Sequence, residues 1–316
     1  MASAPGPTVT PYAGFDKDAD TVALRKAMKG LGTDEKAIID VLAARSNAQR
    51  QQLILQFKTT YGRDLISDLK SELSGHFEDA ILALMSPPDL YDAKCLKKAM
   101  KGLGTDESAI IEVLCTRNNK QIHMIRDRYK KEFKHDLEKD LKDETSGNFK
   151  RILIGISQGG RDEGPADASR AAADAQTLYK AGEGKLGTDE SEFQRILVAK
   201  SAAHLRLVFD EYEKVSKKSI EKAIKSEMSG DLENAYLTIV GFFRNPVEFY
   251  ADLLQKAMVG VGTDEDRLIR IIVSRSEWDL ELIKSAYMHK YKRTLVDAVK
   301  SEVSGDFRKL LIALIK

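Results

Sequence analysis

Four copies of one short motif organise this chain of 316 residues. In each copy a glycine-rich loop runs into Thr-Asp-Glu, and the threonines are Thr33, Thr105, Thr188 and Thr263. Each threonine is followed 39 residues later by the glutamate of a Glu-x-Ser-Gly segment, at Glu72, Glu144, Glu227 and Glu302. A repeat of this size cannot bury its apolar face alone, so the sequence predicts a stack of like units.

The spacing of apolar residues within a copy is helical. After Thr33, the residues Ile38, Val41 and Leu42 follow the i, i+3, i+4 spacing of one helix face. Gly62 and Ser74-Gly75 punctuate the rest of the copy, which predicts about five helices, at 19–29, after Thr33, and at 49–61, 64–73 and 75–85. Thr33 is the expected N-cap of the second helix. The predicted fold class is all-α, with four homologous repeats of about five helices each.

Domain boundaries follow from the intervals between the threonines, which are 72, 83 and 75 residues. The long middle interval contains a Gly- and Pro-rich stretch at 157–165, so we expect a linker that divides the chain into two halves of two repeats. The three prolines before residue 12 predict an extended tail. The expected segments are a tail at 1–14, repeats at 15–86 and 87–157, a linker at 158–169, and repeats at 170–245 and 246–316.

Charge and cysteine content exclude several classes of function. A formal net charge of +1 argues against non-specific nucleic-acid binding and against a polybasic membrane anchor. Cys95 and Cys115 lack the CxxC spacing of metal and redox sites, so we expect free thiols in a reducing compartment. No secretory signal and no stretch long enough to span a membrane is visible, which predicts a cytoplasmic protein.

The constant 39-residue step predicts that the loop and the distant glutamate meet at one end of a helical bundle. Glycines let backbone carbonyls turn outward, and carbonyls with one carboxylate form an all-oxygen shell that suits Ca²⁺. A single carboxylate predicts weak affinity, which a lipid phosphate completing the shell would strengthen. The five histidines occupy unrelated repeat positions, so a zinc site is not indicated.

Other interpretations of the loop remain open at this point. The glycines could simply end one helix while Thr-Asp-Glu starts the next. A dinucleotide fingerprint is disfavoured, because Glu35 replaces its third glycine and no strand precedes the loop. An apolar residue lies between the glycines of every copy, where it could insert among lipid headgroups or pack against a neighbouring loop. These residues are Leu31, Leu103, Leu186 and Val261.

These loops, the Glu-x-Ser-Gly segments, the four repeats and the long linker resemble the annexin family over residues 15–316. The resemblance implies a curved disc of four five-helix repeats, with calcium loops on the convex face. It also implies reversible, calcium-dependent binding to acidic phospholipids such as phosphatidylserine, with roles in membrane organisation, trafficking or repair. Lateral self-association on the membrane is a further expectation, and nucleic acid is not an expected partner.

Matched to the family pattern, the implied Ca²⁺ ligands are carbonyls and one glutamate in each repeat, several ions per chain. The sets are Met28, Gly30, Gly32 and Glu72; Met100, Gly102, Gly104 and Glu144; Gly182, Lys185, Gly187 and Glu227; and Met258, Gly260, Gly262 and Glu302. Lesser family sites match Thr33 with Glu35 and Leu73 with Glu78. A polar central channel matches Asp92, Glu112, Arg117 and Arg270, where a structural ion-pair network is favoured over conduction.

One departure concerns an inward-facing position of the second helix. Arg45, Arg117 and Arg275 occupy it in three repeats, and Lys200 occupies it in the third. Lysine cannot reproduce a bidentate pairing, so the third repeat is expected to be locally looser.

Three functional hypotheses follow. A non-enzymatic, calcium-dependent phospholipid-binding protein is the first. The alternative is a calcium-independent helical scaffold for protein partners. A hydrolase is remote, because no catalytic constellation stands out.

Overall fold

The computed structural model describes residues 6–30, 32–102, 104–184, 187–260 and 262–316. Over these ranges the chain forms 20 helices and no strand, which confirms the all-α prediction. They fall into four groups of five. The first group is α1 (Lys17–Ala27), α2 (Glu35–Leu42), α3 (Asn47–Tyr61), α4 (Leu65–Glu72) and α5 (Gly75–Met85), and the second is α6 (Pro88–Ala99), α7 (Glu107–Thr116), α8 (Asn119–Phe133), α9 (Leu137–Glu144) and α10 (Gly147–Ser157).

The second half of the chain repeats the same order of helices. The third group is α11 (Ala168–Ala181), α12 (Glu190–Leu197), α13 (Ala202–Ser216), α14 (Ile220–Glu227) and α15 (Gly230–Arg244). The fourth is α16 (Pro246–Met258), α17 (Glu265–Arg275), α18 (Leu280–Tyr291), α19 (Leu295–Glu302) and α20 (Gly305–Ile315). In every group the glycine loop joins the first two helices, and the fourth helix ends at the repeated glutamate.

The second helix of each repeat begins one residue later than its sequence predicts. Asp34, and not Thr33, is the N-cap, and its carboxylate accepts a hydrogen bond from the backbone N–H of Ala37. The same aspartate caps the equivalent helix in the other repeats, at Asp106, Asp189 and Asp264. The carboxylate is the stronger acceptor near the positive end of the helix dipole, and this leaves the threonine hydroxyl free for another contact.

A fully buried aromatic ring lies at the same place in the third helix of every repeat. These residues are Phe57, Tyr129, Tyr212 and Tyr287, and none is more than 1% exposed. In three repeats a second ring follows one turn later, with ring centroids 5.0–5.2 Å apart. The helices therefore pack around one aromatic centre per repeat, which large buried rings stabilise through both area and geometry.

Two compact units divide the chain, and they are not the halves that the linker predicted. One unit contains residues up to Pro88 and from Val247 onward, so it combines the first and fourth repeats. The other runs from Asp89 to Pro246 and combines the second and third repeats. The linker lies inside the second unit instead of separating two units. The prediction was wrong because chain spacing records where an insertion lies and not which repeats pack together.

Residues of the tail and of the linker bind to the two units in similar ways. In the first unit, the N–H groups of Thr8 and Val9 donate to Ser276 O at 2.8 and 2.9 Å, and Tyr12 exchanges two 2.9 Å hydrogen bonds with the Gln49 side chain. Residues 6–14 of the tail are therefore attached to both repeats of that unit, and are not a free extension.

The linker makes the corresponding contacts in the second unit. Asp162 N–H donates to Ala199 O at 2.7 Å, and Arg161 exchanges hydrogen bonds with the Asn119 side chain. The Arg161 guanidinium also lies 4.3 Å from the centre of the Phe243 ring. Burial lowers the pKa of Arg161 to about 10, which fits a guanidinium that is largely removed from water.

The inward arginines pair with acids in the first two repeats, as expected of an ion pair between helices. Arg45 makes a bidentate contact with Asp20 at 2.6 and 2.8 Å, and Arg117 makes one with Asp92 at 2.7 and 2.8 Å. In the fourth repeat Tyr250 replaces the first-helix aspartate. Arg275 stacks on that ring at 4.9 Å and pairs with Asp279 instead.

The third repeat keeps the aspartate but changes its partners. Lys200 Nζ lies 3.9 Å from Asp174, a longer and single contact, as the substitution predicts. His204, which is buried, occupies the position of Gln49 and places its Nε2 3.0 Å from the same carboxylate. The histidine thus supplies the close contact that lysine does not make.

Glu277 joins the two repeats of the first unit. Its carboxylate accepts from Asn47 N–H at 2.7 Å and from Arg50 Nη1 at 3.4 Å. Arg50 is 1% exposed and also donates to the carbonyls of Leu42 and Leu84. Burial lowers the pKa of Arg50 to about 10, and Glu277 is the anion that opposes this effect.

We expect Glu277→Ala to destabilise the protein by about 2 kcal/mol, because a buried guanidinium then loses its carboxylate. Thermal unfolding followed by circular dichroism measures the change. Glu281→Ala is the matched control, because its partner Lys284 lies three residues away on one helix surface, and it should change stability by less than about 0.5 kcal/mol. Equal effects of the two substitutions would contradict the role of Glu277.

Asp140 holds α9, the helix that ends at Glu144. Its carboxylate accepts from Tyr129 Oη at 2.6 Å and from Lys97 Nζ at 2.9 Å, and His135 Nδ1 lies 3.1 Å away. Burial would raise the pKa of Asp140, but the hydrogen bonds from Tyr129, Lys97 and His135 outweigh it and lower the pKa to about 2.

A depressed carboxyl pKa stabilises the fold above the unfolded pKa of about 3.9, and the stabilisation is lost as pH falls toward 2. Asp140→Asn should therefore cost about 2 kcal/mol at neutral pH and progressively less between pH 4 and 2. Urea unfolding across this pH range measures the difference. Asp143→Asn, at an exposed pair with Lys139, is the control. A penalty for Asp140→Asn that does not change with pH would contradict this account.

Candidate functional site

In the first three repeats the glycine loop and the distant glutamate meet in space, as the constant spacing predicts. Thr33 Oγ1 donates to Glu72 Oε2 at 2.8 Å, and Thr188 Oγ1 donates to Glu227 Oε2 at 3.0 Å. In the second repeat the Thr105 hydroxyl lies 3.5 Å from the carbonyl oxygen of Glu144. The threonine that the helix cap does not use thus links the loop to the end of the fourth helix.

A backbone hydrogen bond closes each loop at its base. Asp34 N–H donates to Ala27 O at 2.9 Å, across the whole loop. The equivalent bonds join Asp106 to Ala99, Asp189 to Ala181 and Asp264 to Ala257, at 2.7–2.9 Å. The aspartate therefore caps the second helix with its side chain and closes the loop with its backbone.

Glycine is needed in the loop because of backbone conformation and not because of crowding. Gly30 has φ 115° and Gly32 has φ 84°, and a Cβ atom at either position would meet nothing within 4 Å. Matching residues keep these values, at Gly102, Gly104, Gly187, Gly260 and Gly262. Only glycine adopts such dihedrals without strain, so the loop can turn successive peptide groups in directions that other residues disfavour.

The methionines at the start of the loops can offer only their carbonyl oxygens. The side chains of Met28, Met100 and Met258 are 5–6% exposed and belong to the core. Carbonyls of these residues, loop carbonyls and one carboxylate make an oxygen-only donor set, which is the chemistry that Ca²⁺ prefers. Among the described residues no group of three or more His, Cys, Asp and Glu side chains is placed to hold a metal ion.

The third loop is built differently, because it is one residue longer. Glu183 accepts hydrogen bonds from Lys218 Nζ at 2.6 Å, from Tyr212 Oη at 3.0 Å and from Ser216 Oγ. Burial would raise the pKa of Glu183, yet these three donors outweigh it and hold the pKa below its ordinary range. No pattern in the sequence indicates this anchor, because its partners lie 29, 33 and 35 residues away along the chain.

Gly182 is the first predicted ligand of the third site, and it lies against the predicted glutamate. It is the C-cap of α11, and a Cβ atom built on it would meet Glu227 Cγ at 3.4 Å. Lys185, another predicted ligand, lies outside the described residues. So do the four apolar loop tips, Leu31, Leu103, Leu186 and Val261.

In the first unit the glutamates of two repeats line one cavity of about 410 Å³. Its wall contains Glu35 and Glu72 from the first repeat, with Glu265 and Glu302 from the fourth. Phe77 and Phe307 form part of its lining. The structure therefore gathers four carboxylates beside the two loops of this unit, where they attract cations.

The lesser predicted sites are only partly assembled. Thr33 and Glu35 lie beside Glu72, through the hydroxyl contact and the shared cavity wall. Leu73 is the C-cap of α4 with a buried side chain, so it can offer only its carbonyl. Glu78 lies in the first turn of α5, where the helix dipole favours an acid.

The predicted channel residues are largely buried, and two of them pair with each other inside the second unit. Asp92 and Arg117 form the bidentate ion pair of the second unit, and Glu112 of the same unit is 4% exposed. Arg270, which belongs to the first unit, is also 4% exposed. The Asp92–Arg117 pair supports the structural interpretation that the sequence favoured.

No helix in the described part of the chain is long and apolar enough to cross a membrane. Cys95 and Cys115 form no disulfide, and Cys115 is buried, which raises the pKa of its thiol to about 12. The thiol is therefore protonated and unreactive at neutral pH.

Comparison with known proteins identifies relatives over nearly the whole chain. Human annexin A11 is 53% identical over 308 residues, which cover 97% of this chain and 61% of that protein. The chain thus spans about three fifths of that relative. The solved structure of annexin III is 45% identical, covers 98% of this chain and 97% of that one, and has a TM-score of 0.96. A calcium-bound annexin (Sm)1 structure is 33% identical over 98% of this chain and 92% of its own, with a TM-score of 0.86.

The sequence profile of the annexin family matches this chain four times, at residues 17–84, 91–156, 173–239 and 249–314. Each match contains one glycine loop and the glutamate 39 residues after its threonine. With four family repeats, the loop geometry described above and relatives that are about half identical, the chain belongs to the annexin family.

Proposed function

We propose that this protein binds acidic phospholipid membranes reversibly, through Ca²⁺ ions held between its glycine loops and the membrane. The observation that carries this proposal is the contact of the loop with the glutamate 39 residues later, at 2.8 Å in the first repeat and 3.0 Å in the third. Membership of the annexin family, whose calcium-dependent phospholipid binding is general, supports the same conclusion.

Each proposed site takes two or three loop carbonyls and one glutamate. They would be Met28, Gly30, Gly32 with Glu72; Met100, Gly102, Gly104 with Glu144; Gly182, Lys185, Gly187 with Glu227; and Met258, Gly260, Gly262 with Glu302. Thr33 with Glu35, and Leu73 with Glu78, would form lesser sites. Such a shell is incomplete for an ion that takes six to eight oxygens, and a lipid phosphate supplies what is missing.

The charge of the protein explains why an ion is needed at all. With a net charge of +1 the chain has little attraction of its own for an anionic surface. Each site alone should bind Ca²⁺ weakly, toward the millimolar end of the known range, because it holds a single carboxylate. Several weak bridges in one molecule then act together through their effective concentration at the membrane.

The loop tips Leu31, Leu103, Leu186 and Val261 would contact the headgroup region while the ions are bound. Phosphatidylserine is the proposed lipid because its headgroup offers both a phosphate and a carboxylate. A binding role, and not catalysis, is proposed, with a cytoplasmic location and association with membranes when Ca²⁺ rises. Lateral association of bound molecules is part of the same proposal.

Co-sedimentation with phosphatidylserine vesicles tests this function. At about 0.15 M salt the protein should pellet with vesicles in millimolar Ca²⁺ and return to the supernatant when a chelator is added. Binding that persists in chelator at this salt, or is absent with Ca²⁺, would contradict the proposal. Capture of protein partners unaffected by Ca²⁺ would instead support a helical scaffold.

The combined substitutions Glu72→Gln, Glu144→Gln, Glu227→Gln and Glu302→Gln should abolish the calcium-dependent pelleting, because each site loses its only carboxylate. Helicity should be unchanged, since all four glutamates are last residues of their helices. Asp40→Asn, Glu132→Gln, Asp210→Asn and Glu213→Gln together change the net charge equally at exposed positions on helices and serve as the control. If the quadruple Glu→Gln variant still binds vesicles in a calcium-dependent way, these glutamates are not the Ca²⁺ ligands.

A further inference from the structure

The outer face of α8 carries an exposed row of cations that the calcium loops do not account for. Lys120, Lys130, Lys131 and Lys134 are all exposed, and the row also includes His123 and Met124. Met124 is 45% exposed despite its apolar side chain. Asp127 is the acid within this row, and Glu132 is a second exposed acid beside it on the same helix. With 100° between successive residues of a helix, all seven residues of the row fall within about half of its circumference.

The opposite face of the same helix is fixed in the core. Ile122, Ile125 and Tyr129 are at most 1% exposed. Arg128, at the side of the helix, pairs with Asp89 at the start of α6, with 2.7 Å between Nε and Oδ2. The rotation of α8 about its axis is therefore set, and the lysine row must face solvent.

This face also points away from the calcium loop of its own repeat. α7 begins at the loop and runs about 15 Å away from it, and α9 returns about 12 Å to Glu144, which lies at the loop again. α8 connects the far ends of these two helices. It therefore lies across the end of the bundle opposite the loop, with its buried face toward the bundle and its lysines outward.

The other three repeats provide an internal comparison, because they contain the same helix without the same charge. At the four lysine positions the first repeat has one lysine, the third has two with a glutamate, and the fourth has one. The residues are Ala48, Lys58, Thr59 and Gly62; Ala203, Glu213, Lys214 and Lys217; and Trp278, Met288, His289 and Lys292. The packing of the repeat thus does not require lysine at these positions.

The charge on this row is not neutralised locally. Within the described part of the chain, no carboxylate lies within 4 Å of the ammonium groups of Lys120, Lys130 and Lys131, whereas Lys139 and Lys142, just beyond α8, do form such pairs. Lys134 Nζ donates to the Lys131 carbonyl, which leaves its charge without an opposing anion. With Asp127 counted against the four lysines, the row carries a formal charge of +3, a strong local concentration in a protein whose net charge is +1.

We propose that the outer face of α8 is a second membrane-docking surface, which binds an anionic phospholipid bilayer by electrostatic attraction and without Ca²⁺. A molecule held on one membrane by its calcium loops could then contact a second membrane with α8. This surface goes beyond the proposed function and does not depend on the calcium sites.

The chemistry of the row favours a bilayer over other polyanions. It contains four lysines, one histidine and no arginine, tyrosine, tryptophan or phenylalanine, so it lacks the forked donors and the large stacking surfaces with which proteins read nucleic acids. A protein partner would require buried apolar or aromatic anchors, and Met124 is the only apolar side chain in the row. A charged lipid surface requires only lysines within a Debye length, and an exposed methionine can enter its interface.

Salt concentration distinguishes membrane binding through α8 from membrane binding through the calcium loops. The attraction between an exposed lysine and an anionic membrane fades beyond a Debye length of about 8 Å at 0.15 M salt. Binding through α8 alone should therefore be undetectable at that salt and appear at about 0.02 M salt. Two-membrane bridging at higher salt depends on the first membrane being held by Ca²⁺.

The experiment compares the protein with the triple variant Lys120→Gln, Lys130→Gln and Lys131→Gln. In chelator at about 0.02 M salt, wild type should pellet with vesicles containing phosphatidylserine and not with phosphatidylcholine alone. The triple variant should bind at least about tenfold more weakly. In Ca²⁺ at about 0.15 M salt both proteins should pellet equally, but only wild type should cluster vesicles, measured as turbidity.

Lys17→Gln, Lys58→Gln and Lys292→Gly form the matched control, with the same charge change at exposed positions of the other unit. Lys292 has φ 55°, so glycine suits that position. This control should keep both low-salt binding and clustering. Thermal unfolding verifies that all variants fold.

Each outcome decides the proposal. If the triple variant and the control lose equal amounts of low-salt vesicle binding, the binding depends on overall charge and the proposal is overturned. Binding of polyglutamate with no binding of vesicles would replace the bilayer by an acidic polypeptide and overturn it as well. The quadruple Glu→Gln variant of the calcium sites should still bind vesicles in chelator at low salt, so failure of the calcium sites and failure of α8 are distinguishable.

Discussion

The glycine loop is closed by its own aspartate in all four repeats, and its contact with the end of the fourth helix, shown in three of them, fixes the arrangement of the helices. Asp34 uses its carboxylate to start α2 and its backbone N–H to close the loop on Ala27. Thr33 is then left to reach Glu72. Because the first, second and fourth helices are all tied at this end, the third helix must cross the other end, where its outward face is free to vary among repeats.

The four repeats share one packing plan and differ in the polar contacts made around it. The buried ring of the third helix is present in all four repeats, since each bundle needs a centre. The contacts around it differ. Asp174 is held by Lys200 and His204 where two other repeats use an arginine fork, and Arg275 stacks on a tyrosine. Four copies of one plan thus tolerate different polar pairings, provided that each buried charge keeps a partner.

Connecting segments contribute more to the structure than their composition suggests. Residues 6–14 and the linker around Arg161 each attach two repeats of one unit, through backbone hydrogen bonds and a guanidinium or amide side chain. Extended segments rich in proline and glycine carry no periodic signal, so their docking was invisible in the sequence. It depends on single acceptors, such as Ser276 O and Ala199 O, that a folded helix end presents.

The sequence alone predicts the helical class, the five-helix plan of the repeats and the meeting of the loop with the glutamate, because periodicity and a fixed 39-residue step are properties of the chain. It could not decide which repeats pack into one unit, that Asp34 and not Thr33 caps α2, or that Glu183 anchors the third loop. Those outcomes depend on contacts between residues far apart in the chain. Folding brings the donors and acceptors of these contacts within reach of one another. Only in the folded chain do two acceptors, such as the side chains of Thr33 and Asp34, compete for the same backbone N–H group.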